Sequence, residues 1–131
     1  MFKEIEVVAA IIVKDGCVLS TKRLKGEFAG QWEFPGGKVE PNETTEDALV
    51  REIKEELCAE IIVKEFLCTV KYQYPNFQLT MHCYICNLVT SDFVLNDHSD
   101  AKWLTKDTLD TVEWLPADIE ILDSLKQYLS L

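Results

Sequence analysis

The sequence has no uninterrupted apolar run long enough to span a bilayer as a helix, and Met1–Glu6 carries two acids where a secretory leader would be basic. It is also short of positive charge. Thirteen Lys+Arg against 23 Asp+Glu leave a formal net charge of −10, which removes the broad basic footprint that DNA or RNA binding needs. Membranes and polymeric nucleic acid are therefore not expected as partners, and no protein partner is indicated. Five cysteines, an odd number, argue against a closed disulfide framework and fit a reducing compartment, so a cytoplasmic protein is expected. A zinc cage is missing its second half. Cys83 and Cys86 form a CxxC beside His82, but on a strand over 78–88 an offset of three puts the two sulfurs on opposite faces. With no repeat, low-complexity tract or linker, the 131 residues are expected to make a single domain, 1–131.

What is present in excess is carboxylate, concentrated in one stretch. Gly36 to Leu57 reads GGKVEPNETTEDALVREIKEEL: a glycine pair, a turn, and a helix. With Glu52 at zero on a helical wheel, Glu55 falls near 300°, Glu56 near 40° and Ala48 near 320°. Leu49, Ile53, Leu57 and Val50 fall between about 60° and 160°, an apolar stripe beside the acids, so the acids should line the edge of a cleft. Clustered carboxylates repel unless a cation sits among them, and hard oxygen donors suit Mg²⁺ or Mn²⁺. The plainer possibility is a solvated acidic helix face crossed by i,i+4 charge pairs.

The remainder reads as scaffold. Ile5 to Val13 and Cys17 to Lys22 flank Asp15-Gly16, a hairpin turn signal. Arg23 closes the second strand, and Trp32-Glu33-Phe34-Pro35 brings two aromatics to the lip of the glycine pair. Thr44 with Asp47 three residues later resembles a capping box that starts the helix, which should end near Leu57. Strands are expected over 61–70, 78–89 and at Trp103-Leu104, with a Pro75-Asn76 turn and a loop carrying Asp92, Asp97 and Asp100. Pro116 is placed to open one last helix with a core stripe at Ile121, Leu122, Leu125, Tyr128 and Leu129. This order predicts an α/β fold with a mixed sheet.

Gly37, five residues, Glu43, seven residues, then Arg51-Glu52-Ile53-x-Glu55-Glu56 resembles the Nudix box of MutT-type hydrolases, and QWEFPGGK resembles the segment that enters it. One position departs. Cys58 stands where the box has glycine, followed by Ala59, and a cysteine in a left-handed helix stop costs about 1 kcal/mol. The resemblance implies the Nudix α/β/α sandwich, a mixed sheet between helices, and an Mg²⁺-dependent enzyme. Its expected reaction is attack of water on a free nucleoside triphosphate to give the monophosphate and diphosphate. It also implies roles. Glu52, Glu55, Glu56 and the Gly36 carbonyl would bind metal, with Arg51 and Glu43 supporting them and Glu52 polarising the water. Asp97 would approach the metal or act as base, and Arg23 and Lys38 would hold phosphates. Phe34 and Asp118 would contact the base. Asp118 stands where MutT has asparagine, and an ionised aspartate only accepts hydrogen bonds, which suits the exocyclic amine of cytosine and so a CTP-like or 5-methyl-dCTP substrate. A protonated aspartate would leave 8-oxo-dGTP open, and Asp118 as a mere first-turn acid of the helix is the plainer reading. The same chemistry would also serve ADP-ribose or dinucleoside polyphosphate hydrolysis, and the same fold could serve as a nucleotide-sensing module without turnover.

Overall fold

A computed structural model describes residues 3–130; Met1, Phe2 and Leu131, which the expected domain 1–131 includes, lie outside the described residues. The first strand, β1 (Lys3–Lys14), is the one around which the sheet is assembled. It runs parallel to β6 (Phe77–Leu88) from Lys3↔Phe77 to Ile12↔Cys86. Its other edge pairs first with β4 (Gly36–Lys38) and then, at Val13 and Lys14, with β2 (Cys17–Arg23). The turn uses Asp15 and Gly16, both with positive φ, as the Asp-Gly signal requires. Strands β3 (Trp32–Glu33) and β7 (His98–Leu104) add to β2, while β5 (Ile61–Gln73) forms the far edge beside β6. One parallel pair among antiparallel neighbours makes the sheet mixed.

A strand covered on both sides should be apolar on both, and VVAAIIV in β1 is. Val8, Ala10 and Ile12 join Ala48, Leu49, Ile53 and Leu57 of helix α1 (Thr45–Leu57) in one core, whereas Ala9 and Ile11 join Ile121, Leu122 and Leu125 in the other. Helices thus cover both faces, in the expected α/β/α layering. Cys83 and Cys86 fall in different cores, so the CxxC cannot close on one ion.

Two sequence expectations are corrected. Val50 is 41% exposed and does not belong to the apolar stripe; the packed arc is Ala48, Leu49, Ile53 and Leu57. At about 40° on the wheel, Glu56 then lies inside that arc rather than beside it. The last helix is two: α2 (Pro116–Ile119) and α3 (Leu122–Leu129). The phenol of Tyr74 accepts from the Ala117 N–H, and Asp118 accepts from the Phe34 N–H. These bonds pin the short helix to the sheet while α3 turns to bury its own stripe. A 3₁₀ helix, Lys106–Thr111, was not anticipated. No described helix is long and apolar enough to cross a membrane.

Helix α1 begins as its capping residues dictate, with the Thr44 hydroxyl accepting from the Asp47 N–H at 3.1 Å. It ends on Cys58 in the left-handed region (φ 52, ψ 36), whose N–H donates to Lys54 O. The Asn96 side chain braces this exit, donating to Glu55 O at 2.8 Å and contacting Cys58 Sγ at 3.2 Å. The Cβ strain remains. Cys58→Gly is expected to raise unfolding stability by about 1 kcal/mol in a urea titration; an unchanged or lower midpoint would show that the Asn96 contact outweighs the strain.

Candidate active site

Strand β4 is flanked closely on two sides, by the backbone of β1 at Gly36 and by a side chain of α1 at Gly37. A Cβ on Gly36 would fall on the Val8 carbonyl oxygen, and one on Gly37 would fall on the Glu52 carboxylate. Neither glycine has positive φ, so both are needed for space rather than for backbone conformation. The Gly36 N–H donates to Glu56 Oε1 at 3.1 Å. Burial pushes the Glu56 carboxyl up to about 7, with the neighbouring Glu33 and Glu52 adding to it, against the opposing pull of His98 and of the Gly36 N–H. Burial also raises Glu52, and Glu55 adds repulsion, although Arg51 pulls the other way. Glu55 is exposed at the rim.

Arg51 is the counterweight. Its Nε and Nη2 grip both oxygens of Glu43 at 2.7 and 3.0 Å, a fork geometry only arginine offers. Nη2 also donates to Lys38 O at 2.9 Å, and Nη1 lies 3.2 Å from Glu55, 3.6 Å from Glu52 and 3.7 Å from Glu40. The hydrogen bond from Arg51 holds Glu43 below the usual carboxylate range. One guanidinium thus makes the i,i+4 pair with Glu55 and also stands beside Glu52.

These groups open onto a cavity of about 690 Å³ whose lining divides chemically. Lys38, Arg51 and the three glutamates supply one part; Phe34, Tyr74, Phe77, Met81 and Leu115, with Asp118, supply the other. Trp32 and Phe34 were expected at the lip but are 6% and 3% exposed: Phe34 stacks on Trp114 at 4.6 Å, so it is a wall of the cavity, held by the core behind it. Tyr74 stacks on Phe77 at 4.9 Å, in the tip of the β5–β6 hairpin. Asp118 is 4% exposed, and burial pushes its carboxyl up to about 8. That corrects the ionised Asp118 on which the cytosine argument stood: near neutral pH the group is mostly protonated and offers a donor as well as an acceptor.

Between the two parts stands Glu33, which sequence reasoning passed over. Arg23 Nη1 donates to one of its oxygens at 3.0 Å, and His98 Nε2 meets the other at 3.1 Å. Arg23 Nε and His98 Nδ1 are buried without a partner among the described residues. The signal for Glu33 was an acid between two large aromatics in a short strand; for Tyr74 it was an aromatic at a hairpin tip. A smaller cavity of about 270 Å³ adjoins, lined by Arg23, Lys25, Glu33, Glu56, Asp97 and His98. Asp97 is exposed and reaches the same small cavity as Glu56. Asp100, read as a loop acid, is instead within β7 and accepts from the Ala101 N–H.

The NUDIX domain family matches residues 3–125. The chain belongs to the NUDIX family. It is 36% identical over 123 residues to a CTP pyrophosphohydrolase of Escherichia coli, covering 93% of this chain and 91% of that one. It is 32% identical over 128 residues to an 8-oxo-dGTP diphosphatase of Haemophilus influenzae, covering 95% and 94%. The crystal structure of a MutT NUDIX hydrolase from Burkholderia pseudomallei superposes with a TM-score of 0.85 at 27% identity, covering 94% of this chain and 98% of that one. Nudix hydrolases generally use divalent metal ions, and the donor set here fits one. It is all oxygen, burial and then the neighbouring acids make two of its carboxylates resist ionising, and no side chain at Gly37 stands over Glu52. Among the described residues no three acid, histidine or cysteine side chains already converge on one point as a closed cage. An open wall suits Mg²⁺, which keeps several waters and takes few carboxylates together with substrate phosphates.

The raised Asp118 generates a test. An unfolded aspartate titrates at about 3.9 and the buried one at about 8, so the stability that neutral Asp118 contributes is full below the first value and lost as pH rises through the second. The charged groups acting on it are Glu33, which raises it further, and Arg23, which lowers it. Asp118→Asn is expected to fold and to flatten the fall in urea midpoint between about pH 4 and pH 8. Parallel pH profiles for wild type and variant would remove the buried-acid account.

Proposed function

We propose that the chain is a Mg²⁺-dependent nucleoside triphosphate pyrophosphohydrolase that converts a free (d)NTP and water to the (d)NMP and diphosphate, with Mn²⁺ able to substitute. The observation that carries this reading is the junction, in one cavity, of a carboxylate wall with an aromatic chamber closed by Asp118. A triphosphate needs the first and a base needs the second. A bound divalent ion would neutralise phosphate charge and make water more acidic. The chain's own residues do the rest. Glu52, Glu55, Glu56 and the Gly36 carbonyl hold the ion; Arg51, fixed by Glu43, keeps Glu52 in place. Arg23 and Lys38, both in the lining of the same cavity, meet the phosphates. Asp97, beside Glu56 in the smaller cavity, takes the proton of the attacking water.

For the base, a protonated Asp118 pairs its donor with the cytosine ring nitrogen and its acceptor with the amine, and the likeness to the E. coli CTP pyrophosphohydrolase supports CTP or 5-methyl-dCTP. The second reading is 8-oxo-dGTP, favoured by the same protonated Asp118 and by the likeness to the H. influenzae enzyme. The single domain is proposed to act in the cytoplasm on the free nucleotide pool.

Product analysis with Mg²⁺ on CTP, dCTP, 5-methyl-dCTP, 8-oxo-dGTP, dGTP, ADP-ribose and a dinucleoside tetraphosphate tests this. Diphosphate with a cytidine monophosphate is expected; turnover of ADP-ribose or the tetraphosphate alone would overturn the substrate class, and no turnover would favour a sensor. Glu52→Gln and Glu56→Gln are each expected to lower kcat by about 10³ or more with an unchanged far-UV spectrum. Near-normal turnover in both would remove the metal-site assignment.

A further inference from the structure

Two thiols outside the site face each other across the edge of the sheet. Cys68 of β5 and Cys83 of β6 are direct register partners, so their side chains leave the same face. Directly opposed residues in an antiparallel pair have Cα atoms roughly 4.5–5.5 Å apart, inside the range a disulfide spans. The Cys83 thiol donates to the Met81 carbonyl at 3.9 Å, and Cys68 stands opposite it on the edge strand. Cys83 is fully buried; Cys68, on the edge strand, is only partly so. The remaining cysteines lack this arrangement: Cys86 lies in the opposite core, Cys17 follows the first hairpin turn, and Cys58 ends α1.

The pair also has a position that matters. Along the same face of the hairpin the next rows are Val70↔Met81 and Tyr72↔Leu79, followed by the tip with Tyr74 and Phe77. Met81, Leu79, Tyr74 and Phe77 line the large cavity. Below the pair the ladder slips, with register shifts at Val63/Glu65 and Phe66/Cys68. The thiols therefore sit where an irregular edge gives way to the regular ladder that carries the cavity wall.

We propose that Cys68 and Cys83 form a peroxide-sensitive dithiol that closes to a cross-strand disulfide and staples the hairpin that walls the cavity. Cys68 is the attacking thiol, because it is the more exposed of the two, and its neighbours Cys83 and Ser124 favour its thiolate while Cys68 and burial push the Cys83 thiol up. Its thiolate takes one oxygen of hydrogen peroxide, the O–O bond breaks, and the departing hydroxide is protonated to water, leaving Cys68 as sulfenic acid. The Cys83 sulfur then attacks the Cys68 sulfur; the S–S bond forms, the S–O bond breaks, and the oxygen leaves as water with the Cys83 proton. Two thiols have given two electrons to one peroxide. The inference is independent of which nucleotide the cavity takes.

The test is peptide mapping of the full chain after brief peroxide treatment and alkylation of residual thiols. A Cys68–Cys83 linked peptide, a whole-protein mass lower by two hydrogens, and reversal by dithiothreitol are expected. With it, amide exchange between Val70 and Phe77 should slow by about tenfold. Cys83→Ser removes the resolving thiol and should leave a dimedone-reactive sulfenic acid on Cys68; Cys68→Ser should abolish both products. Recovery of Cys68 and Cys83 as free alkylated thiols while Cys58 oxidises, or a linked peptide joining any other pair, would overturn the proposal.

Discussion

The structure depends on how closely α1 can lie on β4. Because Gly37 carries no side chain, the Glu52 carboxylate rests over it, while Glu56 accepts from the Gly36 N–H and bare Gly36 lets β4 pair closely with β1. Both acids are carried to those points by the burial of Ala48, Leu49, Ile53 and Leu57 against β1. Hydrophobic packing thus acts on charge: it holds two carboxyls in surroundings where ionising them is unfavourable. A larger residue at Gly36 would collide with the β1 backbone, and one at Gly37 would displace the Glu52 carboxylate from the cavity wall.

Crowded acids of this kind would swing out into water if nothing restrained them. Arg51 restrains them on one side, tied down by its fork on Glu43 and its bond to the Lys38 carbonyl, while Asn96 braces the exit of the helix. On the other side Arg23 and His98 hold Glu33. Few cations are present, and near the site Arg51 and Arg23 are each committed to a carboxylate. With a net charge of −10 the protein has no broad positive surface to attract polyanions, and its few cations near the site are placed singly.

Much of this was legible in the sequence where the physics is local. The Asp15-Gly16 turn, the Thr44 cap, the end of α1 at Leu57 and the opposed faces of Cys83 and Cys86 follow from short-range rules that the tertiary structure leaves alone. The helical spacing of the three glutamates and Arg51 likewise brings them to one cavity wall. What failed depended on packing between distant segments. Val50 reads apolar but meets nothing; Phe34 reads as a lip residue until Trp114, 80 positions on, is stacked beneath it. Asp118 reads as an ordinary exposed acid until α2 is pinned against Tyr74 and Phe34 and its carboxyl is sealed from water. Glu33 escaped notice because its partners, Arg23 and His98, come together only through the β2–β3 and β2–β7 pairings.

The carboxylate wall of α1 is proposed to take a divalent cation. Mn²⁺ titration followed by electron paramagnetic resonance, on wild type and Glu56→Gln, addresses it most directly. Wild type is expected to bind more tightly as pH rises through about 7, where Glu56 loses its proton. Glu56→Gln should bind more weakly and without that pH dependence. Equal affinity in the two proteins, or binding by wild type that is indifferent to pH in this range, would contradict the account.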